Sequence, residues 1–308
     1  MPASPAKTAI GWIGTGVMGR NMATHVIQAG YPLTVYNRTK SKAQPLLDLG
    51  ARYADSPAEV AAVSDIVFTM VGYPSDVREV ISGTDGVLST LKEGGIVVDL
   101  TTSEPGLAAE LAALAAARGR FVVDAPVTGG DIGAKKGTLS IMVGGDKKAV
   151  DEVKPVLDCF ASTVTVFAGP GTGQHCKMAN QITIATSMLG MCEGLVYAHA
   201  AGLDLESYLG AIAGGGAGSF SVQSYAPRIL KRDMEPGFYV EHFVKDLGIA
   251  LEACKQMRVS LPGLALAQQL YVSLCACGDE RLGTQALIKS LERINGRTLP
   301  TKSTFSAW

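Results

Sequence analysis

From Ala9 to about Val166 the chain alternates short, β-rich apolar runs with amphipathic helical stretches. That alternation admits little besides a parallel sheet joined by helical crossovers. The predicted strands are Ala9 to Ile13, Leu33 to Tyr36, Ile66 to Met70, Ile96 to Leu100, Phe121 to Val123, Leu139 to Val143 and Val164 to Phe167. Between them, Ser56-Pro57-Ala58-Glu59 reads as a capping box with proline at the first helical position, and Ser75 and Ser103 are weaker cap candidates. Leu107 to Ala117 is helical by its alanine content. After Gly169-Pro170-Gly171 the strand signal stops, and helical periodicity runs through Ile182 to Ala201, Val240 to Met257, Leu261 to Cys277 and Thr284 to Ile294. The expected division is a parallel-sheet α/β domain over residues 1–169 and an all-helical domain over residues 170–308. Gly214-Gly215-Gly216-Ala217-Gly218-Ser219 reads as a flexible turn, and the polar tail from Gly296 to Trp308 as poorly ordered.

Charge narrows the partner. The 27 Lys plus Arg against 28 Asp plus Glu leave a net charge of -1, with no electrostatic footprint for nucleic acid or an anionic membrane, so a small molecule is expected. Six scattered cysteines show no CxxC and no Cys/His spacing that would hold zinc; they read as reduced thiols of a cytoplasmic protein with no metal. Met1-Pro-Ala-Ser-Pro-Ala-Lys7 runs straight into an apolar strand and leaves no room for a signal peptide. The Ile182 to Ala201 run approaches membrane-spanning length, but Glu193 lies within it and Gly190 and Gly194 weaken it, so it reads as a buried helix.

Gly14-Thr15-Gly16-Val17-Met18-Gly19 falls between the first strand and the first helix, the context in which such a string binds a dinucleotide. Gly14 permits the tight turn, Gly16 lets backbone approach a pyrophosphate, and Gly19 lets the helix pack on the sheet. The amides at the helix start, around Val17 and Met18, face the phosphates. The second strand then runs into Asn37-Arg38-Thr39-Lys40-Ser41-Lys42, with no carboxylate to take a ribose 2′-hydroxyl. Asn37 and Thr39 can hydrogen-bond, and Arg38, assisted by Lys42, can neutralise a 2′-phosphate, which favours NADP(H) over NAD(H). A solvated basic helix start is the competing explanation. The strand-end turns at Met70-Val71 and Thr101-Thr102-Ser103 fall where further cofactor contacts belong, or are plain loops.

Two later segments carry substrate chemistry. Asp124-Ala125-Pro126-Val127-Thr128-Gly129-Gly130 combines a hydroxyl with two backbone amides, a composition that holds a carboxylate or simply makes a turn. Gly171-Thr172-Gly173-Gln174-His175-Cys176-Lys177-Met178-Ala179-Asn180 sets Lys177 and Asn180 on one face at the start of a long apolar helix. An ammonium is costly to bury there, unless it snorkels to water. His25, His175, His199 and His242 have no acidic partner at a recognisable spacing and read as surface or packing residues.

Taken in order, Gly14 to Gly19, Asp124 to Gly130, Gly171 to Asn180 and Phe243-Val244-Lys245-Asp246-Leu247 resemble the β-hydroxyacid dehydrogenase family over nearly the whole chain. The resemblance implies an α/β fold, an N-terminal Rossmann-type doubly wound sheet with an all-helical C-terminal domain and a cleft between them. It implies an NAD(P)-dependent oxidoreductase of the 3-hydroxyisobutyrate dehydrogenase type, acting on a small carboxylate substrate, with glyoxylate or succinic semialdehyde reduction as the alternative. By match, Lys177 takes the position of the catalytic lysine and Asn180 that of the substrate amide. Thr128, Gly129 and Gly130 match the carboxylate turn, and Lys245 matches a lysine approaching the nicotinamide. Homodimers or homotetramers are common in the family. Two departures stand out: Thr128 replaces the usual serine and adds a methyl group, and Asp131 puts a carboxylate beside an anion site. An imine reductase generally replaces the lysine, a 6-phosphogluconate dehydrogenase needs a longer helical domain, and a non-catalytic cofactor-binding scaffold has no need of Lys177.

Overall fold

The computed structural model describes residues 2–300. Two compact units divide the chain, Met1–Lys177 and Met178–Trp308.

The first unit begins with β1 (Ile10–Ile13), α1 (Val17–Gln28), β2 (Leu33–Tyr36), a 3-10 turn at Lys40–Ala43, α2 (Gln44–Leu47), β3 (Arg52–Tyr53), α3 (Pro57–Ala62) and β4 (Ile66–Thr69). It continues through α4 (Pro74–Ser82), α5 (Val87–Thr90), β5 (Ile96–Asp99), α6 (Pro105–Ala116), β6 (Phe121–Asp124) and β7 (Val127–Thr128). After these come α7 (Gly130–Lys136), β8 (Leu139–Gly145), α8 (Lys147–Leu157), β9 (Ala161–Ala168) and the start of α9 (Thr172–Ala200). The sheet order is β3-β2-β1-β4-β5-β6-β8-β7, with β9 beside β8. β1 to β6 pair in parallel, β8 runs antiparallel to β6 and β7, and β9 is parallel to β8. The strand order reverses between β1 and β4, so the crevice at their carboxyl ends is where a doubly wound sheet binds its ligand.

All seven predicted strands are present. β3 and β7 are additions of two residues each, too short to register as periodicity. Side chains of the central strands alternate between two cores: Ile10 and Trp12 enter one, Ile13 the other. Trp12 stacks on Phe68 at 5.2 Å and meets the edge of Phe160 at 6.1 Å, filling the space beneath the glycine loop.

Three helix starts correct the sequence reading. Ser56 Oγ accepts the Glu59 amide, but the Glu59 carboxylate accepts from Asp55 N rather than Ser56 N, so only half the capping box forms. Ser75 and Ser103 cap nothing. Tyr73 and Glu104 precede α4 and α6, each helix opens on proline, and Asp76 accepts from Tyr73 N at 3.1 Å.

The first compact unit runs on to Lys177, past the expected break at Gly169. The first turn of α9 is bound to the sheet, since Asp124 Oδ1 accepts Gly171 N at 2.7 Å and Oδ2 accepts Gln174 N at 2.8 Å.

The second unit holds the remainder of α9, α10 (Leu205–Ile212), a π-helical turn at Ser221–Tyr225, α11 (Ala226–Leu230), α12 (Val240–Met257) and α13 (Pro262–Ala276). A 3-10 turn at Thr284–Ala286 leads into α14 (Leu287–Asn295). Met188, Cys192, Leu195, Phe243, Leu247 and Tyr271 lie in its core, where Tyr271 donates to Thr284 O at 2.9 Å. Part of the expected loose tail is anchored: Leu299 is buried, its amide bonds Glu292 Oε1 at 2.8 Å, and Arg232 holds that same carboxylate. Residues 301–308 of that tail lie outside the described residues. Among the described residues, no helix is long and apolar enough to cross a membrane.

Candidate active site

The glycine loop after β1 assigns its three glycines different tasks. Gly14 has φ +92, and a Cβ there would stand 2.1 Å from Met70 O, so β1 and the β4 turn touch through backbone. A Cβ on Gly19 would meet Gly14 O at 2.0 Å, which holds α1 close under the loop. Gly16, the N-cap of α1, is different: its φ is -66 and a Cβ would have no neighbour within 4 Å. No side chain caps α1, so the amides of its first turn, beginning at Val17 and Met18, are set to receive an anion. This cradle fits a dinucleotide pyrophosphate.

Beyond β2, both ends of the Asn37 side-chain amide bond backbone. Its Oδ1 accepts Thr15 N at 2.8 Å and its Nδ2 donates to Thr39 O at 2.9 Å, so the amide shapes the glycine loop. Arg38, Thr39 and Lys42 are exposed on this segment. The Arg38 guanidinium stands 3.7 Å from Asp76 Oδ1, a contact that orients it without neutralising it in solvent. Lys40, adjacent to them, lies over the Tyr53 ring at 4.3 Å.

The turns after β4, β5 and β6 are joined by a buried polar network. Val71 N donates to Thr101 Oγ1 at 3.0 Å, placing the Met70–Val71 turn against the Thr101–Thr102 turn. Asp99 Oδ1 accepts the Thr69 hydroxyl at 2.7 Å and Thr101 N at 3.1 Å. Burial pushes the Asp99 carboxyl up to about 6, with the neighbouring Asp124 charge adding to it and the hydrogen bonds opposing it. Burial also raises Asp124, while the backbone amides of Gly171, Gln174 and Gly173 favour its charged form. Gln174 is fully buried, donating from Nε2 to Thr101 O at 2.7 Å and accepting Ser103 N at 3.0 Å. One turn later on α9 stands Lys177, only 6% exposed and the one lysine in the buried set among the described residues.

Thr128 ends β7, in register with Ser140 of β8, so the expected turn Asp124 to Gly130 contains a short strand. Gly129 and Gly130 follow with φ +125 and +64, conformations that only glycine adopts without strain. Asp131 lies in the first turn of α7.

In the second unit, Asn180 Nδ2 donates to Gln181 Oε1 at 2.8 Å and Gln181 Nε2 donates to Asp246 Oδ2 at 2.7 Å. Lys245 Nζ lies 3.1 Å from Asp246 Oδ1, so the two residues expected at substrate and nicotinamide are tied through buried Gln181 and Asp246. Asp99, Gln174 and Gln181 were not singled out by sequence reasoning. His25 and His242 fit packing, His25 Nε2 being 3.1 Å from the carbonyls of Ala134 and Lys135 and burial lowering the His242 pKa, while His175 is exposed.

Family models cover both parts of the chain. The NAD binding domain of 6-phosphogluconate dehydrogenase matches residues 9–169, and the NAD-binding domain of NADP-dependent 3-hydroxyisobutyrate dehydrogenase matches residues 171–291. The probable 3-hydroxyisobutyrate dehydrogenase-like 1, mitochondrial, of Arabidopsis thaliana is 58% identical over 95% of this chain and 87% of its own. The 2-hydroxy-3-oxopropionate reductase of Escherichia coli K12 is 37% identical over 92% of this chain and 97% of its own. A solved 3-hydroxyisobutyrate dehydrogenase of Mycobacterium tuberculosis with L-serine superposes with a TM-score of 0.85 at 29% identity, over 92% of this chain and 99% of that one.

Proposed function

Because the chain belongs to the β-hydroxyacid dehydrogenase family and is an NAD(P)-dependent hydroxyacid oxidoreductase, we propose that it interconverts a small 3-hydroxy acid and its semialdehyde with NADP(H), Lys177 serving as general acid and base. The observation that carries this reading is the burial of Lys177 one helical turn beyond Gln174, in the same unit as the glycine loop. When bound, NADP(H) supplies the hydride.

In the reductive direction Lys177 Nζ donates its proton to the carbonyl oxygen; in the oxidative direction it accepts the hydroxyl proton, which requires a neutral amine. The Thr128 hydroxyl and the Gly129 and Gly130 amides hold the carboxylate, while Asn180 orients the reacting oxygen. Lys245, set by Asp246, serves the nicotinamide end. Gly14, Gly16, Gly19 and the amides around Val17 and Met18 take the pyrophosphate; Met70, Val71 and Thr102 line the strand-end turns. Arg38 and Lys42, with Thr39 beside them, take the 2′-phosphate, and Asn37 shapes the loop. Homodimer or homotetramer assembly through the helical unit, in a reducing cytoplasmic compartment, belongs to the same reading; six free cysteines suit it.

Lys177→Ala is expected to lower kcat by roughly 10²- to 10⁴-fold while leaving the NADPH Kd nearly unchanged. Near-wild-type turnover would remove Lys177 from the mechanism. NADPH consumption on glyoxylate, succinic semialdehyde, methylmalonate semialdehyde and tartronate semialdehyde selects the substrate, and silence across that panel favours a scaffold or a different acid.

A further inference from the structure

We infer that Gln174 is a positioning residue for Lys177, its buried amide tying the start of α9 to the strand-end turn that also anchors Val71. The inference rests on Lys177 as the proton-transfer residue. Both ends of the Gln174 amide are used, and on different backbone groups of one turn: Nε2 donates to Thr101 O and Oε1 accepts from Ser103 N. The same turn turns its other side to the cofactor region, where Thr101 Oγ1 accepts Val71 N. One residue therefore sets the separation between the Val71 turn and the helix that carries the amine.

The Gln174 backbone is fixed as firmly as its side chain. Its amide donates to Asp124 Oδ2, whose partner oxygen takes Gly171 N, so a carboxylate from β6 closes the helix start from outside the helix. Gly173 lets this happen: a Cβ there would lie 2.4 Å from Met142 O and 2.8 Å from Asp124 O. Lys177 follows Gln174 at the i, i+3 spacing, which places them on one helix face. A helix start pinned at both backbone and side chain leaves little freedom to an amine one turn on. Buried networks in which both ends of an amide are paired hold that amide in a single geometry, and proton transfer is sensitive to misplacement of about 1 Å.

The test is a double-mutant cycle on kcat in the full-length enzyme. Gln174→Met keeps the volume and removes both side-chain bonds. Expected for it alone is a roughly 10- to 100-fold fall in kcat with NADPH KM within about threefold of wild type. In a Lys177→Ala background the same substitution is expected to cost no more than about twofold, because no amine remains to be misplaced. An equal factor in both backgrounds, or an unchanged kcat for Gln174→Met, overturns the inference. If Gln174→Met does not fold, Asp124→Asn, which sets an amide against one of the two donors, enters the same cycle with the same expectation. Near-wild-type turnover of Lys177→Ala by itself overturns the Lys177 reading; a crippled Lys177→Ala with an additive cycle overturns only the role of Gln174.

Discussion

Three alanine substitutions in one six-residue loop separate what the fold needs from what the cofactor needs. At Gly14 an alanine must hold φ +92, a region costing an L-residue about 1–2 kcal/mol, and its Cβ would stand 2.1 Å from the backbone oxygen of Met70. Overpacking against a group that cannot rotate away adds about 1–3 kcal/mol, so Gly14→Ala should destabilise the protein by roughly 2–5 kcal/mol. At about 2–4 °C per kcal/mol, Tm falls by roughly 5–20 °C. Gly19→Ala, with its contact at 2.0 Å from Gly14 O, belongs to the same class. Gly16→Ala meets no protein atom within 4 Å at φ -66, so its cost is confined to the change of N-cap, about 1 kcal/mol or less. Its methyl group nevertheless occupies the face offered to the pyrophosphate and should weaken NADPH by at least about tenfold. The assay is thermal unfolding with and without NADPH. At a concentration about 100 times the wild-type Kd the ligand stabilises the native state by about 2.7 kcal/mol, and a tenfold weaker site leaves about 1.4, so Gly16→Ala should show roughly half the ligand-induced Tm shift. A full shift in Gly16→Ala, or a Gly14→Ala protein as stable as wild type, would refute the reasoning.

Other substitutions probe electrostatics and the substrate end. Arg38→Ala should raise KM for NADPH by about tenfold or more and leave NADH nearly unaffected, since only the 2′-phosphate loses a partner; equal effects on both cofactors argue that Arg38 is a solvated surface group. Asp99 is held at about 6 against an ordinary 3.8, so the native state binds its proton more tightly than the unfolded chain. That contribution to stability is complete below pH 3.8 and is lost as pH rises through about 6, a difference on the order of 3 kcal/mol. Asp99→Asn keeps an acceptor for the Thr69 hydroxyl and Thr101 N, so its Tm relative to wild type should climb between roughly pH 4 and 7; a difference independent of pH contradicts the assignment. Thr128→Ser removes one methyl group from the proposed carboxylate pocket and should improve kcat/KM for the bulkier semialdehydes by several-fold, up to about tenfold, whereas an unchanged substrate ranking would take that methyl out of specificity.

The sheet was legible because its central strands are buried on both faces and read as unbroken apolar runs. β3 and β7 were not, since two residues carry no period. The glycine loop was legible as a motif, yet the motif does not say that Gly14 and Gly19 answer to the backbone while a Cβ on Gly16 would meet no protein atom within 4 Å. Asn37 was legible as a hydrogen-bonding residue, but its partners, Thr15 N and Thr39 O, are fixed by the loop it folds against. The groups that hold the site were the hardest to see. Asp99 and Thr101 look like any polar strand end until the chain closes and brings Gln174, 73 residues away, onto Thr101 O. One signal was nonetheless present in α9. Gln174, Lys177 and Gln181 recur at i, i+3 and i+7, and all three are buried. A polar stripe on the face that burial would reserve for apolar side chains is costly unless every member is bonded. The stripe therefore marks partners elsewhere in the chain, Thr101 and Ser103 for Gln174 and Asp246 for Gln181. Lys177 stands between two residues whose side chains hold other groups in place, the arrangement the proposed proton transfer needs of an amine whose position, as well as its presence, sets the rate.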